Sequence, residues 1–337
     1  MGRTMFFPRD ATGPGRPGLL IALATLCAAA LTTPLPPAVA ATCSPQKQTE
    51  LPLRNDLGFL SAPVAVSGKT VSLIIDTGSE GSLISPWFAQ SVNLPPDPHA
   101  RTHVSGTGGS AGVVPNVIAP SLRLGDTEFG PVSLPLGVLP GRPNIHPPVE
   151  GLLGGDILGR DILEIDAPGG RMAFWSTPPG CPEVPPPQET EGEGGKPLHV
   201  QPLHWQELKA EFRDQRALLH VSLDGHDITA LLDSGARSRI VSRTAAEAAG
   251  VTEDALAIDP GGTTSGVDGR ISVYRWHRFH SLTVGTETEH NPVLTVSPIS
   301  ENVDMLLGSD WFSTHRVWIS YRQGKVFAAT VAPRKGP

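Results

Sequence analysis

The chain repeats itself, and that repetition limits its architecture more than any other feature. Residues 63–85 read PVAVSGKTVSLIIDTGSEGSLIS, and residues 220–242 read HVSLDGHDITALLDSGARSRIVS. Gly68 stands eight before Asp76, as Gly225 does before Asp233. Gly78 and Gly235 follow two after, and Ser85 and Ser242 nine after. A later motif also recurs, GLLGGDIL at 151–158 and MLLGSDWF at 305–312. Its Gly154 and Gly308 lie 78 and 75 residues beyond the respective Asp. Between them each half carries a Gly-rich turn, GTGGSAG at 106–112 and GGTTSG at 261–266. Order and spacing both recur, so one module has been duplicated.

Each module reads as mostly β. With 37 Gly and 35 Pro among 337 residues, the chain cannot sustain a long helical bundle, while 39% hydrophobic residues suffice for a core of short strands joined by turns. The runs at 71–75 and 228–232 are apolar strands that end at an Asp-x-Gly turn. Residues 163–166 with 171–175, and 317–321 with 326–331, read as hairpins. Short helices are expected at 244–249 and directly after the two Leu-Leu-Gly motifs.

The ends and the junction are separable. In 1–40, Arg3, Arg9 and Arg16 precede an apolar run at 19–31, with Ala38-Val39-Ala40 as a small-residue cleavage site. This is the layout of a secretory signal peptide, and the run is short for a membrane span. An uncleaved anchor is the weaker alternative, and a lipoprotein signal fits less well. Residues 181–197, CPEVPPPQETEGEGGKP, lack the apolar content to fold and read as a linker. The lobes are therefore 50–180 and 198–334. The net charge of −7 becomes more negative once the leader is removed, which argues against nucleic acid and anionic membranes as partners. No stable membrane association is expected after cleavage. The mature chain keeps Cys43 and Cys181, which in an exported protein form a disulfide or remain two free thiols. The expected location is periplasmic or extracellular, and a bacterial source is favoured.

A strand ending in Asp-x-Gly delivers a carboxylate to the edge of a core, with backbone amides near enough to hold it. A single such Asp is most simply a turn residue or a helix cap. Two in equivalent places invite another reading. Lobes packed about a two-fold axis bring Asp76 and Asp233 together, and paired carboxyls share a proton. One takes a proton from water while the other donates to a carbonyl oxygen, which hydrolyses an amide with no metal and no cofactor.

The repeat resembles the retropepsin and pepsin group of aspartic proteases, and most of all bacterial retropepsin-like proteins carrying two copies in one chain. The resemblance rests on Asp76-Thr77-Gly78-Ser79, Asp233-Ser234-Gly235-Ala236 and the Leu-Leu-Gly motifs, and it covers about 55–332. It implies two tandem β-barrel lobes paired about a pseudo-two-fold axis, with the active site between them and Asp76 and Asp233 as the catalytic pair. Thr77, Gly78, Ser234, Gly235, Gly154 and Gly308 would support the catalytic loops. Gly106, Gly108, Gly109, Gly261, Gly262 and Gly266 would fall in substrate-covering flaps. Neither Gly-rich turn contains the tyrosine of a pepsin flap, and the lobes are short, which favours the retropepsin-like module. Glu80 follows one Asp and Arg237 the other, so the two sides differ in charge.

Other constellations are weaker. GGSAG at 108–112 fits the serine hydrolase elbow around Ser110, and 106–111 fits a dinucleotide fingerprint, but both motifs need a helix next and Val113-Val114-Pro115 follow. His277 and His280, three apart on a strand, point to opposite faces and make a poor metal pair. A non-catalytic peptide-binding cleft on the same fold is the alternative function. Pairing of lobes between two chains is the alternative assembly, with the intrachain monomer preferred.

Overall fold

The structure, a computed structural model, describes residues 43–106, 109–139, 147–178, 181, 186, 203–265 and 270–331. The expected leader, most of the linker, Gly108 and Gly266 lie outside these. Strands dominate, and among the described residues the longest helices have six residues.

The spacing of the repeat has a simple cause. Phe59–Val66 pairs antiparallel with Lys69–Ile75 across Ser67-Gly68, whose φ values are 49° and 80°. Arg216–Leu223 pairs with His226–Leu232 across Asp224-Gly225, at 50° and 82°. A two-residue turn with both φ positive matches strand twist and favours Gly at its second position. The second strand then runs straight to the Asp. Beside it, and parallel, lies the strand of the Leu-Leu-Gly motif, with Leu153 opposite Ile75 and Leu307 opposite Leu232. Leu73 and Ile75 face the main core, whereas Ile74 packs in a separate apolar patch.

Ser85 and Ser242 cap short helices, Pro86–Ser91 and Arg243–Ala248, accepting from Phe88 N at 3.2 Å and Ala245 N at 3.0 Å. The helices Gly155–Leu158 and Ser309–Phe312 follow the Leu-Leu-Gly motifs as expected. Two helices were not anticipated, Pro86–Ser91 and Glu253–Ile258.

Both expected hairpins form, and they join. Ile162–Asp166 pairs with His315–Ser320 at the centre of a six-stranded sheet, with Glu164 opposite Trp318 and Asp166 opposite Arg316. Each half of the chain contributes three strands. One face of the sheet adds Leu163, Ile165, Val317 and Ile319 to a core continuous through both lobes. The other face carries Ile162, Trp318 and Phe327, with Trp175 and Trp205 packed against them. Within it Arg316 (4% exposed) pairs with Glu164 (2%) and lies 3.9 Å from Asp166. Trp175 Nε1 donates to Glu164 at 2.7 Å.

Cys43 and Cys181 are joined, tying the start of the edge strand Gln46–Pro52 to the chain just beyond Arg171–Ser176. The bond closes a loop of 138 residues. Replacing both cysteines by Ser is expected to cost about 2–4 kcal/mol. The denaturant midpoint of the variant, with intact mass of the parent before and after reduction, checks this.

Candidate active site

The Asp turns are built alike. Asp76 N donates to Leu153 O at 3.0 Å and Asp233 N to Leu307 O at 3.1 Å, so each Asp closes the ladder with its Leu-Leu-Gly strand. Gly154 and Gly308 let that strand pass tightly under the loop beyond the Asp. A methyl there would collide with the backbone of Gly81 or Ser238. Gly155 N and Ser309 N then donate to Ser79 O and Ala236 O, both at 2.8 Å, which pins the loop from below.

The two turns interlock across the lobes. Thr77 Oγ1 donates to Leu232 O at 2.7 Å and accepts from Ser234 N at 3.0 Å. Ser234 Oγ donates to Ile75 O at 2.6 Å and accepts from Thr77 N at 3.1 Å. Both side chains are buried. Gly78 and Gly235 complete the lock, since a methyl on either would overlap the carboxyl of the opposite Asp. Asp76 and Asp233 therefore face each other across the seam.

Their surroundings are unequal. Asp233 Oδ1 accepts from Gly235 N and Ala236 N, both at 3.0 Å, whereas among the described residues Asp76 Oδ1 accepts from Gly78 N alone, at 3.1 Å. Backbone N–H groups favour an anion. Burial raises both carboxyls, and Glu301 adds to the effect on each. Asp76 is raised well above the ordinary range, first by burial and then by the charge of Asp233. Asp233, held back by its two amides, is raised to about 6. Asp76 is thus the better holder of the shared proton.

Ionising such a pair costs stability. A folded-state value above the unfolded one means that the penalty begins as pH rises past about 3.9 and grows until the folded group has ionised. Asp76→Asn is therefore expected to melt a few degrees above the parent at neutral pH and to lose that advantage in acid. Equal melting temperatures at both pH values would contradict the repulsion.

Charged side chains flank the pair. Arg216 bridges Glu80 at 2.9 Å and Glu301 at 2.5 Å. At the equivalent place in the other half, Arg237 lies over the ring of Phe59 at 5.0 Å and its Nε donates to Leu57 O at 2.8 Å.

The Gly-rich segments form hairpins. Pro96–Gly106 pairs with Gly109–Ala119, with Gly106 opposite Gly109. Gly261–Ser265 pairs with Ile271–Arg278, with Gly262 opposite Tyr274. Tyr274, absent from the Gly-rich turn itself, thus enters the hairpin from the partner strand and packs against Trp276 at 5.3 Å. The elbow reading of Ser110 does not survive, because Ser110 sits in the strand Gly109–Ala119 and not at a strand-to-helix turn; its hydroxyl bonds exposed His103 at 2.9 Å and accepts from Gly112 N. His277 bonds Asp259 at 2.6 Å. Among the described residues no group of three or more His, Cys, Asp or Glu is placed to hold a metal.

Two β lobes that meet at reciprocal Asp-Thr-Gly and Asp-Ser-Gly turns define an acid-protease type of site. The aspartyl protease family model matches residues 62–157 and 219–311, more than half of the chain, once in each lobe. The chain belongs to the aspartyl protease family. No curated protein matches it.

Proposed function

We propose that the protein is an aspartic-type endopeptidase in which Asp76 and Asp233 activate water with one shared proton. The observation that carries this reading is the facing pair of carboxyls with its unequal supply of backbone N–H groups. Asp233, the better-held anion, takes a proton from water as the hydroxyl oxygen attacks the scissile carbonyl. Asp76 donates its proton to the carbonyl oxygen. The resulting diol collapses as Asp233 returns its proton to the departing amine and Asp76 recovers one from the diol. No covalent intermediate forms. The hairpins at 96–119 and 261–278 would cover an extended peptide and add strand-like hydrogen bonds to it. One chain supplies both carboxyls, and the disulfide fits an exported, oxidised setting.

Hydrolysis of a peptide library by the mature protein tests the activity. Binding of peptides without turnover would point instead to a non-catalytic cleft. The pH profile tests the proton. The active form carries one proton, so kcat/KM is expected to fall below about pH 6 as Asp233 is protonated, and again at higher pH as Asp76 ionises. A maximum near about pH 4, the range of an unperturbed carboxyl, would contradict this assignment.

A further inference from the structure

We infer that the cleft is charge-polarised and selects peptides carrying an acidic side chain on one side of the scissile bond and a basic one on the other, with Arg237 fixing the acidic side. The inference rests on the peptidase reading of the Asp pair.

Strand alternation places Ile74 on the same face as Asp76, and Leu231 on the same face as Asp233, away from the main core. The register carries this face outward. Ser61 lies opposite Ile74, so Phe59, two residues earlier, shares its side. Leu218 lies opposite Leu231, so Arg216 shares that side in the other half. Phe59 and Arg216 are thus equivalent positions, each touching the residue four after the opposite lobe's Asp.

The two copies have diverged there. On the first-lobe patch, Phe59 carries the exposed guanidinium of Arg237, which makes no ion pair among the described residues. On the second-lobe patch, where Ile299 and Val303 pack against Leu218, Leu231 and Leu306, the rim holds Glu80, Glu301 and Arg216. Arg216 cancels one of its two carboxylates, and Glu80 remains 60% exposed. The neighbouring strands leave the balance in place, since Arg54 and Asp56, opposite Ser61 and Phe59, are of opposite sign, as are Glu211 and Arg213 opposite Leu218 and Arg216. One rim therefore carries a net positive charge and the other a net negative charge. Each rim lies beside one of the two apolar patches on the faces that carry the Asp residues. Ala236, three residues after Asp233, packs on the second-lobe patch and places this rim beside the pair.

Four peptides that share an apolar pair at the cut test this: acid before base, base before acid, both acidic and both basic. In low salt one of the two mixed orders is expected to be cleaved about fivefold faster than either like-charged peptide, a margin that shrinks in high salt. Arg237→Glu makes both rims acidic, so the doubly basic peptide becomes the best substrate. Glu80→Gln with Glu301→Gln makes both rims basic, so the doubly acidic peptide becomes best. Equal cleavage of the four by the parent, or an unchanged order in both variants, would overturn the inference. Should nothing be cut, the peptidase reading fails on its own. The ranking is then read from the affinities of the same four peptides, labelled, for the intact protein. The mixed order binding best supports the polarised cleft, and equal affinities refute it.

Discussion

Asp233→Asn is expected to lower kcat/KM for peptide hydrolysis by roughly 10³- to 10⁴-fold with the fold intact. The amide keeps the size of the carboxyl and can still accept from Gly235 and Ala236 through one oxygen. It cannot take a proton from water. Asp76→Asn should lose as much, because proton donation to the substrate carbonyl and return of the proton to the pair are one cycle. The double variant should lose little more, since residues acting as a unit are not additive. Activity within tenfold of the parent in both single variants would remove the pair from the mechanism. Ser110→Ala, in contrast, should leave hydrolysis unchanged.

The largest stability effect is expected at the sheet that joins the lobes. Arg316→Met leaves Glu164 buried, with Trp175 as its remaining donor among the described residues, and leaves Asp166 with Arg171, at 2.9 Å. Stranding a buried charge in this way costs about 3–5 kcal/mol. The penalty belongs to the orphaned carboxylate and not to the lost attraction. Arg316→Met combined with Glu164→Leu should therefore regain most of it. Urea midpoints at unchanged slope measure both variants. A loss below about 1 kcal/mol in the single variant would show that water or rearrangement satisfies Glu164.

Much of this arrangement was legible because the duplication marks its own important positions. Asp76, Asp233, the Leu-Leu-Gly motifs and the capping serines each occur twice at matched spacing, and the two-residue turns at Gly68 and Gly225 explain that spacing. What escaped notice was non-local or asymmetric. The hairpins at 162–176 and 315–330 were readable singly, but their joining into one sheet is a choice of partner that no local pattern encodes. Arg216 was hidden because its counterpart is Phe59, so the repeat did not flag it. Tyr274 was hidden because its strand, not the Gly-rich turn, brings it across from Gly262. The helix Pro86–Ser91 was announced by Ser85 followed by Pro, a cap followed by a first-turn proline. The helix Glu253–Ile258 was announced by Thr252 before two acidic residues.

The composite sheet also constrains how the two lobes can move. Its central strands come from opposite lobes and are held by five consecutive cross-strand pairs, with a buried ion pair on one face and the shared core on the other. Swinging the lobes apart like a clam would tear that seam and expose both faces at once. The two lobes are in effect mounted on a single plate. Asp76 and Asp233, one on each lobe, are thereby held at a fixed spacing, whatever else in the molecule moves.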